Sequence, residues 1–272
     1  MTIQEKLKQS QIHRAAILAT NFYNLETLKA ILIAASKTHS AAILQLTQSS
    51  IDYMGLNMAV SMARQGLKDY EIEGWLHLDH ANSIDLVQQC LDAGFDSVMI
   101  DASDKDFEEN VKITREVVKR AKAYNANVEA ELGYIAKLGQ EQEGGFTAVE
   151  EAKLFVEQTG VDALAIAIGS AHGFYKAAPK LNIERLKEIH QAINTVLVLH
   201  GSSGIPKTMI QEAIRNGISK VNLATEIKDI FMRTLKNVLM NSDEIDLRKV
   251  FPVAIDAVVN LLTEKYEIVK TT

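Results

Sequence analysis

Short apolar runs recur along this chain, and each is followed by a segment with the three-to-four-residue periodicity of an amphipathic helix. That alternation constrains the fold more than any single motif. The runs fall at residues 15–20, 41–47, 74–82, 97–100, 127–132, 163–168, 195–199 and 220–223. The helical patterns fall at 25–38, 58–65, 83–93, 107–124, 149–159, 183–193, 207–216 and 226–240, with Asn24 as an N-cap and Gly94 as a C-cap signal. Near-continuous apolar strands are those of a parallel sheet covered on both faces by helices.

Two architectures repeat strand and helix in this way. An open doubly wound sheet would carry G-x-G-x-x-G after its first strand and gather its polar residues at one switch point. Here that fingerprint is missing, and polar residues end nearly every strand. The reading is therefore an α/β (β/α)8 TIM barrel, in which all strand ends converge on one mouth. The chain has 272 residues, three prolines and no Gly/Ser/Pro-rich linker, so residues 1–272 are read as one barrel domain.

Charge and composition narrow the function classes. A net charge of -6 without a Lys/Arg cluster argues against nucleic acid as a partner, although a few backbone N–H groups can still hold a phosphate. Cys90 is the single cysteine, so neither an intrachain disulfide nor a thiolate zinc site can form. The N-terminal M-T-I-Q-E-K-L-K-Q-S is polar and helical, and no apolar run approaches a membrane span. A cytoplasmic protein with no membrane partner is expected.

The chemistry sits at the strand ends. G-W-L-H-L-D-H-A-N brings Asp79 and His80 out of the third strand, A-I-A-I-G-S-A-H-G brings His172 out of the sixth, and V-L-V-L-H-G-S-S-G brings His200 out of the seventh. Three strand-end imidazoles with a carboxylate beside one of them suggest a metal site with an acid next to it. His77, inside its run, reads as structural, and His13, His39 and His190 as surface residues. Gly201, Ser202, Ser203 and Gly204 can expose consecutive N–H groups ahead of a helix, which is a phosphate nest in the position this fold favours. Asn222, Ala224, Thr225 and Glu226 end the eighth strand, where Thr225 either caps the next helix or reaches the same phosphate.

H-L-D-H-A, V-E-A-E-L-G, A-I-G-S-A-H-G-F-Y-K, L-V-L-H-G-S-S-G and K-V-N-L-A-T-E, in this order, closely resemble the class II, metal-dependent ketose-bisphosphate aldolases, which include fructose- and tagatose-bisphosphate aldolases. The resemblance runs from A-T-N-F-Y-N-L-E to D-L-R-K-V-F-P-V-A-I. It implies zinc, or another divalent metal, on His80, His172 and His200 with Glu131 close to it, and leaves room for a monovalent cation. It further implies Asp79 as the acid facing the aldehyde oxygen. Gly173, Gly201, Ser202, Ser203, Asn222 and Thr225 would hold the ketose phosphate, and Asn21 and Thr47 would complete the substrate side. Matching L-G-Q-E in the loop after the fifth strand makes Glu141 the base, with Glu143 as runner-up. Ser202 stands where the family has a second glycine, and Ala224 where Asn or Asp is usual. A homodimer or homotetramer is expected from the same resemblance. The leading reading is a lyase that cleaves fructose or tagatose 1,6-bisphosphate to dihydroxyacetone phosphate and glyceraldehyde 3-phosphate. Against it stand an aldolase for another phosphorylated keto sugar, a zinc hydrolase and a non-catalytic phosphosugar-binding barrel.

Overall fold

A computed structural model describes residues 1–133, 135, 145–175 and 179–270 of the chain. Its strands are β1 (Ile17–Asn21), β2 (Ala42–Leu46), β3 (Gly74–Ala81), β4 (Ser97–Ile100), β5 (Asn127–Leu132), β6 (Ala163–Ile166), β7 (Val196–Leu199) and β8 (Ile218–Leu223). Each pairs in parallel with the next and β8 pairs with β1, closing the barrel. The α-helices are α1 (Ile3–Ile12), α2 (Leu25–Lys37), α3 (Gln48–Met54), α4 (Leu56–Asp69), α5 (Ile84–Asp92), α6 (Phe107–Ala121), α7 (Val149–Thr159), α8 (Ile183–Ala192), α9 (Lys207–Arg215), α10 (Thr225–Met240) and α11 (Leu247–Val269). This is the single-domain TIM barrel expected from the alternation.

Three local expectations change. Residues 167–168 continue the apolar run of β6 but leave the sheet. Ala167 bonds Thr147 through both its N–H and its C=O, and Ile168 O accepts from Asn182 N–H, so no neighbouring strand is needed to satisfy them. Helix α3 appears in a stretch to which the sequence pattern assigned no element, started by Thr47, whose hydroxyl accepts the Ser50 N–H at 3.4 Å. Helix α11 was not anticipated, because Pro252 lies inside it and removes one intrahelical donor. Its buried face, which includes Ala254, Val258, Val259, Leu262 and Tyr266, packs on α2 and α10 and outweighs that loss.

The pleat divides every strand between two environments. Leu76, Leu78, Val98, Val128, Ala130, Leu164, Leu197 and Leu199 face the helices in the large outer core. Ile17, Ala19, Ile43, Trp75, Ala163, Ala165, Val196 and Val198 form a second cluster inside the barrel, closed from below by Ile3 and Leu7 of α1. Ascending the inner face, side chains turn polar: Trp75, then His77 and Asp79; Val196 and Val198, then His200; Ile43, then Gln45. The apolar floor and the α1 plug keep water from beneath, so the polar upper layer opens only toward the strand C-terminal ends.

Leu7 is fully buried in that plug. Truncating it should lower unfolding stability by roughly 2–5 kcal/mol while leaving the barrel folded, which chemical denaturation followed by circular dichroism would measure. A cost below about 0.5 kcal/mol would show that α1 does not seal the floor.

Candidate active site

Strict alternation would send Asp79 inward and His80 outward, yet both reach the mouth. The register between β3 and β4 shifts between Leu78 and Ala81, and His80 lies in the left-handed region at φ 50°. For a non-glycine residue that backbone costs about 1–3 kcal/mol, held here by the surrounding barrel. The bulge places two consecutive polar side chains in one site.

His80, Glu131, His172 and His200 each present one donor atom, and these atoms lie within 4.8 Å of one another. The His80 and His172 ring centroids are 5.0 Å apart, those of His80 and His200 4.7 Å. Each of two rings is oriented from its far nitrogen. His80 Nδ1 meets Asp101 Oδ2 at 2.8 Å, and Asp101 Oδ1 is held by the N–H and hydroxyl of Ser103. His200 Nε2 meets Glu129 Oε1 at 2.9 Å, which leaves Nδ1 facing His80 Nε2 at 2.9 Å. Glu131 accepts from Ser103 through Oε1, while its Oε2 is buried without a hydrogen-bond partner and lies 3.8 Å from His200 Nδ1. An orphaned carboxylate oxygen facing three imidazoles fits a divalent cation.

Electrostatics agree. Burial pulls the His80 pKa down, but Asp79, Asp101 and Glu131 outweigh it and raise the pKa to about 9. Burial, aided by Asp101, pushes Glu131 up to about 8. His200 is held well below its usual value by burial and by the His80 charge, so it is the neutral member.

Asp79 is nearly enclosed. Its Oδ2 accepts from Asn21 Nδ2 at 2.8 Å and its Oδ1 from Asn222 Nδ2 at 3.4 Å, and Asn21 is itself fixed by Gln45 at 3.1 Å. Asn21 thus aims the carboxylate as well as lining the pocket. That pocket is formed by Asn21, Asp79, His80, His172, Gly173, Gly201, Ser202, Ser203, Asn222, Ala224 and Thr225. Thr47 is not in its lining, its hydroxyl being engaged as the cap of α3. Glu141 and its runner-up Glu143 lie outside the described residues.

The 201–204 loop is docked on the start of α10. Ala224 offers that helix no side-chain cap, Ser203 Oγ accepts the Glu226 N–H at 3.3 Å, and Gly204 N–H donates to Glu226 Oε1 at 2.6 Å. Thr225 is the first residue of α10, not its cap. Lys265 of α11 holds Glu226 at 2.7 Å, so the unanticipated helix braces this loop. Ser202 turns its hydroxyl onto the Asn222 carbonyl at 2.5 Å. Gly201 has φ 64° and a Cβ there would lie 2.4 Å from Ala171 O, so only glycine allows the two loops to touch. Tyr175 Oη joins them, accepting from Ala171 N–H at 2.7 Å and donating to Gly201 O at 2.8 Å.

Sequence reasoning overlooked Asp101, Ser103, Glu129, Tyr175 and Lys220. Counting by twos from Glu131 to Glu129, and from Asn222 to Lys220, would have found the inward-facing pair. His77 is structural as expected, buried in the interior against Ser97 at 2.7 Å. His13 and His39 are exposed, but His190 is half-buried, with Gly217 packed against its ring.

Residues 1–272 match the family described as fructose-bisphosphate aldolase class-II. The YdjI aldolase from Escherichia coli K12 has a similar structure, with a TM-score of 0.89 and 31% identity over 98% of this chain and 96% of that one. A protein described as a fructose-1,6-bisphosphate aldolase from Coccidioides immitis is similar with a TM-score of 0.90 and 29% identity, covering 98% and 95% of the two chains. The fructose-bisphosphate aldolase of Campylobacter jejuni shares the fold at 21% identity and a TM-score of 0.85, covering 98% and 93%.

Near pH 7 the metal-free site keeps a proton on His80 and, in large part, one on Glu131. Cation binding at these residues must expel them, so loading at pH 7 should release roughly two protons and affinity should fall steeply as the pH is lowered. Calorimetric titration in buffers of different ionisation enthalpy measures this. Binding with no proton release would place the ion elsewhere.

Proposed function

The chain belongs to the class II fructose-bisphosphate aldolase family and is a lyase, and from that premise we propose that it is a zinc-dependent enzyme cleaving a ketose 1,6-bisphosphate, fructose or tagatose, to dihydroxyacetone phosphate and glyceraldehyde 3-phosphate. The observation that carries this reading is the cluster of four donor atoms on His80, Glu131, His172 and His200, set beside a pocket that Asp79, residues 201–203 and the start of α10 line. A zinc hydrolase of neutral substrates would need no such anion-binding wall.

Zinc on His80, His172, His200 and Glu131 would supply Lewis-acid polarisation of the ketose carbonyl. The protein's own groups do the rest. Gly173, Gly201, Ser202, Ser203 and Thr225 hold the ketose phosphate with backbone donors and the positive end of α10. In the cleavage direction Asp79 takes the proton from the C4 hydroxyl as the C3–C4 bond breaks, and in condensation it returns that proton to the aldehyde oxygen. Asn21 and Asn222 keep its carboxylate on that oxygen. Glu141, or else Glu143, exchanges the carbon-bound proton of dihydroxyacetone phosphate from the loop after β5. Tyr175 keeps the His172 loop and the phosphate loop at a constant separation. The enzyme works in the cytoplasm as a homodimer or homotetramer; among the described residues no helix is long and apolar enough to cross a membrane.

Cleavage of fructose and tagatose 1,6-bisphosphate side by side, with dihydroxyacetone phosphate detected, tests the assignment. Chelator should abolish the activity and zinc restore it, and the ratio of rates names the sugar. If zinc-loaded protein cleaves neither, the bisphosphate reading fails and another phosphorylated keto sugar takes its place. Asp79→Asn should lower kcat by about 10²–10⁴-fold with metal content unchanged. Near-normal turnover in that variant would remove Asp79 from the proton path.

A further inference from the structure

Beneath the mouth lies a lysine that this chemistry does not use. Lys220 is 1% exposed, and its Nζ donates to Glu129 Oε2 at 2.8 Å and lies 3.4 Å from His77 Nε2. These residues come from β8, β5 and β3, strands that are not neighbours in the barrel, so the contacts cross its interior. The other oxygen of Glu129 is the one that meets His200 Nε2, at 2.9 Å. His77 in turn passes Nδ1–H to Ser97, which Asn127 also holds at 3.0 Å.

We propose that Lys220, acting through Glu129, is a positioning residue that holds the His200 imidazole in the one orientation and tautomer that presents Nδ1 to His80, Glu131 and a bound metal ion. A carboxylate can rotate about its last bond and offers either oxygen to either neighbour. Here each oxygen has its own donor, the lysine on one and the imidazole on the other, so rotation would break both bonds. A buried lysine has no water to turn to, and its second partner is the acceptor nitrogen of a ring that is itself anchored. The consequence reaches the mouth: with the Glu129 carboxylate fixed at 2.9 Å from Nε2, nearer than the Asn222 amide nitrogen at 3.2 Å, the proton of neutral His200 stays on Nε2 and the lone pair stays on Nδ1. The bland alternative is that Lys220 merely pairs with Glu129 for stability. A stability pair would need no histidine on the far oxygen, and it would leave the metal site alone when removed.

The inference rests on His200 being a metal ligand, and its test reads the metal directly. In the full-length protein, Lys220→Met should weaken zinc binding by about tenfold to a hundredfold, measured by competition with a chromophoric chelator. It should also shift the visible absorption of the cobalt-loaded protein and lower kcat with KM for the ketose phosphate little changed. Lys220→Met combined with Glu129→Gln keeps an acceptor for His200 without an unpaired buried carboxylate, and should recover part of the lost affinity. Lys220→Met with wild-type zinc affinity and an unchanged cobalt spectrum, whatever its melting temperature, would overturn the proposal. Should that variant fail to fold, nitrogen-15 NMR of the wild-type imidazoles decides: the Nε2–H tautomer of His200 supports the proposal, and the Nδ1–H tautomer overturns it. The function proposed above fails separately, if metal-loaded wild type shows these metal signatures but cleaves no ketose phosphate. Wild type that binds no divalent ion would sink both.

Discussion

Closing a parallel sheet into a barrel leaves every second side chain in a space with little solvent, where a polar group costs free energy unless it finds a partner inside. The Glu129–Lys220 pair is where this constraint is sharpest, with both side chains almost fully buried and 2.8 Å apart. A pair so placed needs further hydrogen bonds, and it has them in His200 and His77. The same contacts that satisfy the pair therefore tie four strands together and reach a ring at the mouth. The apolar floor below, sealed by α1, is what makes the polar layer above it directional.

At the mouth the backbone departs from regularity where the chemistry gathers. His80 takes a left-handed conformation next to a bulge, and Gly201 takes one where two loops touch. In both places a local cost, carried by the rest of the barrel, brings together groups that a regular strand would keep apart. Three carboxylates stand around His80, which keeps the metal-free site protonated at neutral pH and makes a divalent cation the natural replacement for those protons.

Much of this was legible before any coordinates. All eight strands were read from their apolar runs, because a strand covered on both faces must be apolar whichever neighbour it acquires. His80, His172 and His200 were legible as a group because each ends such a run. Helix α11 was not, since Pro252 signals a break and only packing against α2 and α10 shows that the helix continues past it. Asp101 looked like the start of a loop. Its role depends on His80 Nδ1 being 2.8 Å away, across two strand ends separated by 21 residues. Lys220 looked like an ordinary charged residue at the edge of a strand until the barrel closed around it.

Sequence by itself determined the period of two along each strand, the order of strands and helices, and the residues that could ligate, donate or cap, because these follow from local sterics and side-chain chemistry. Tertiary structure alone decided which nitrogens of His80 and His200 face the shared site, which carboxylate oxygen is left over and which lysine is buried. Those outcomes depend on distances between strands that are remote in the chain, set only when the sheet closes and buries the polar atoms inside it.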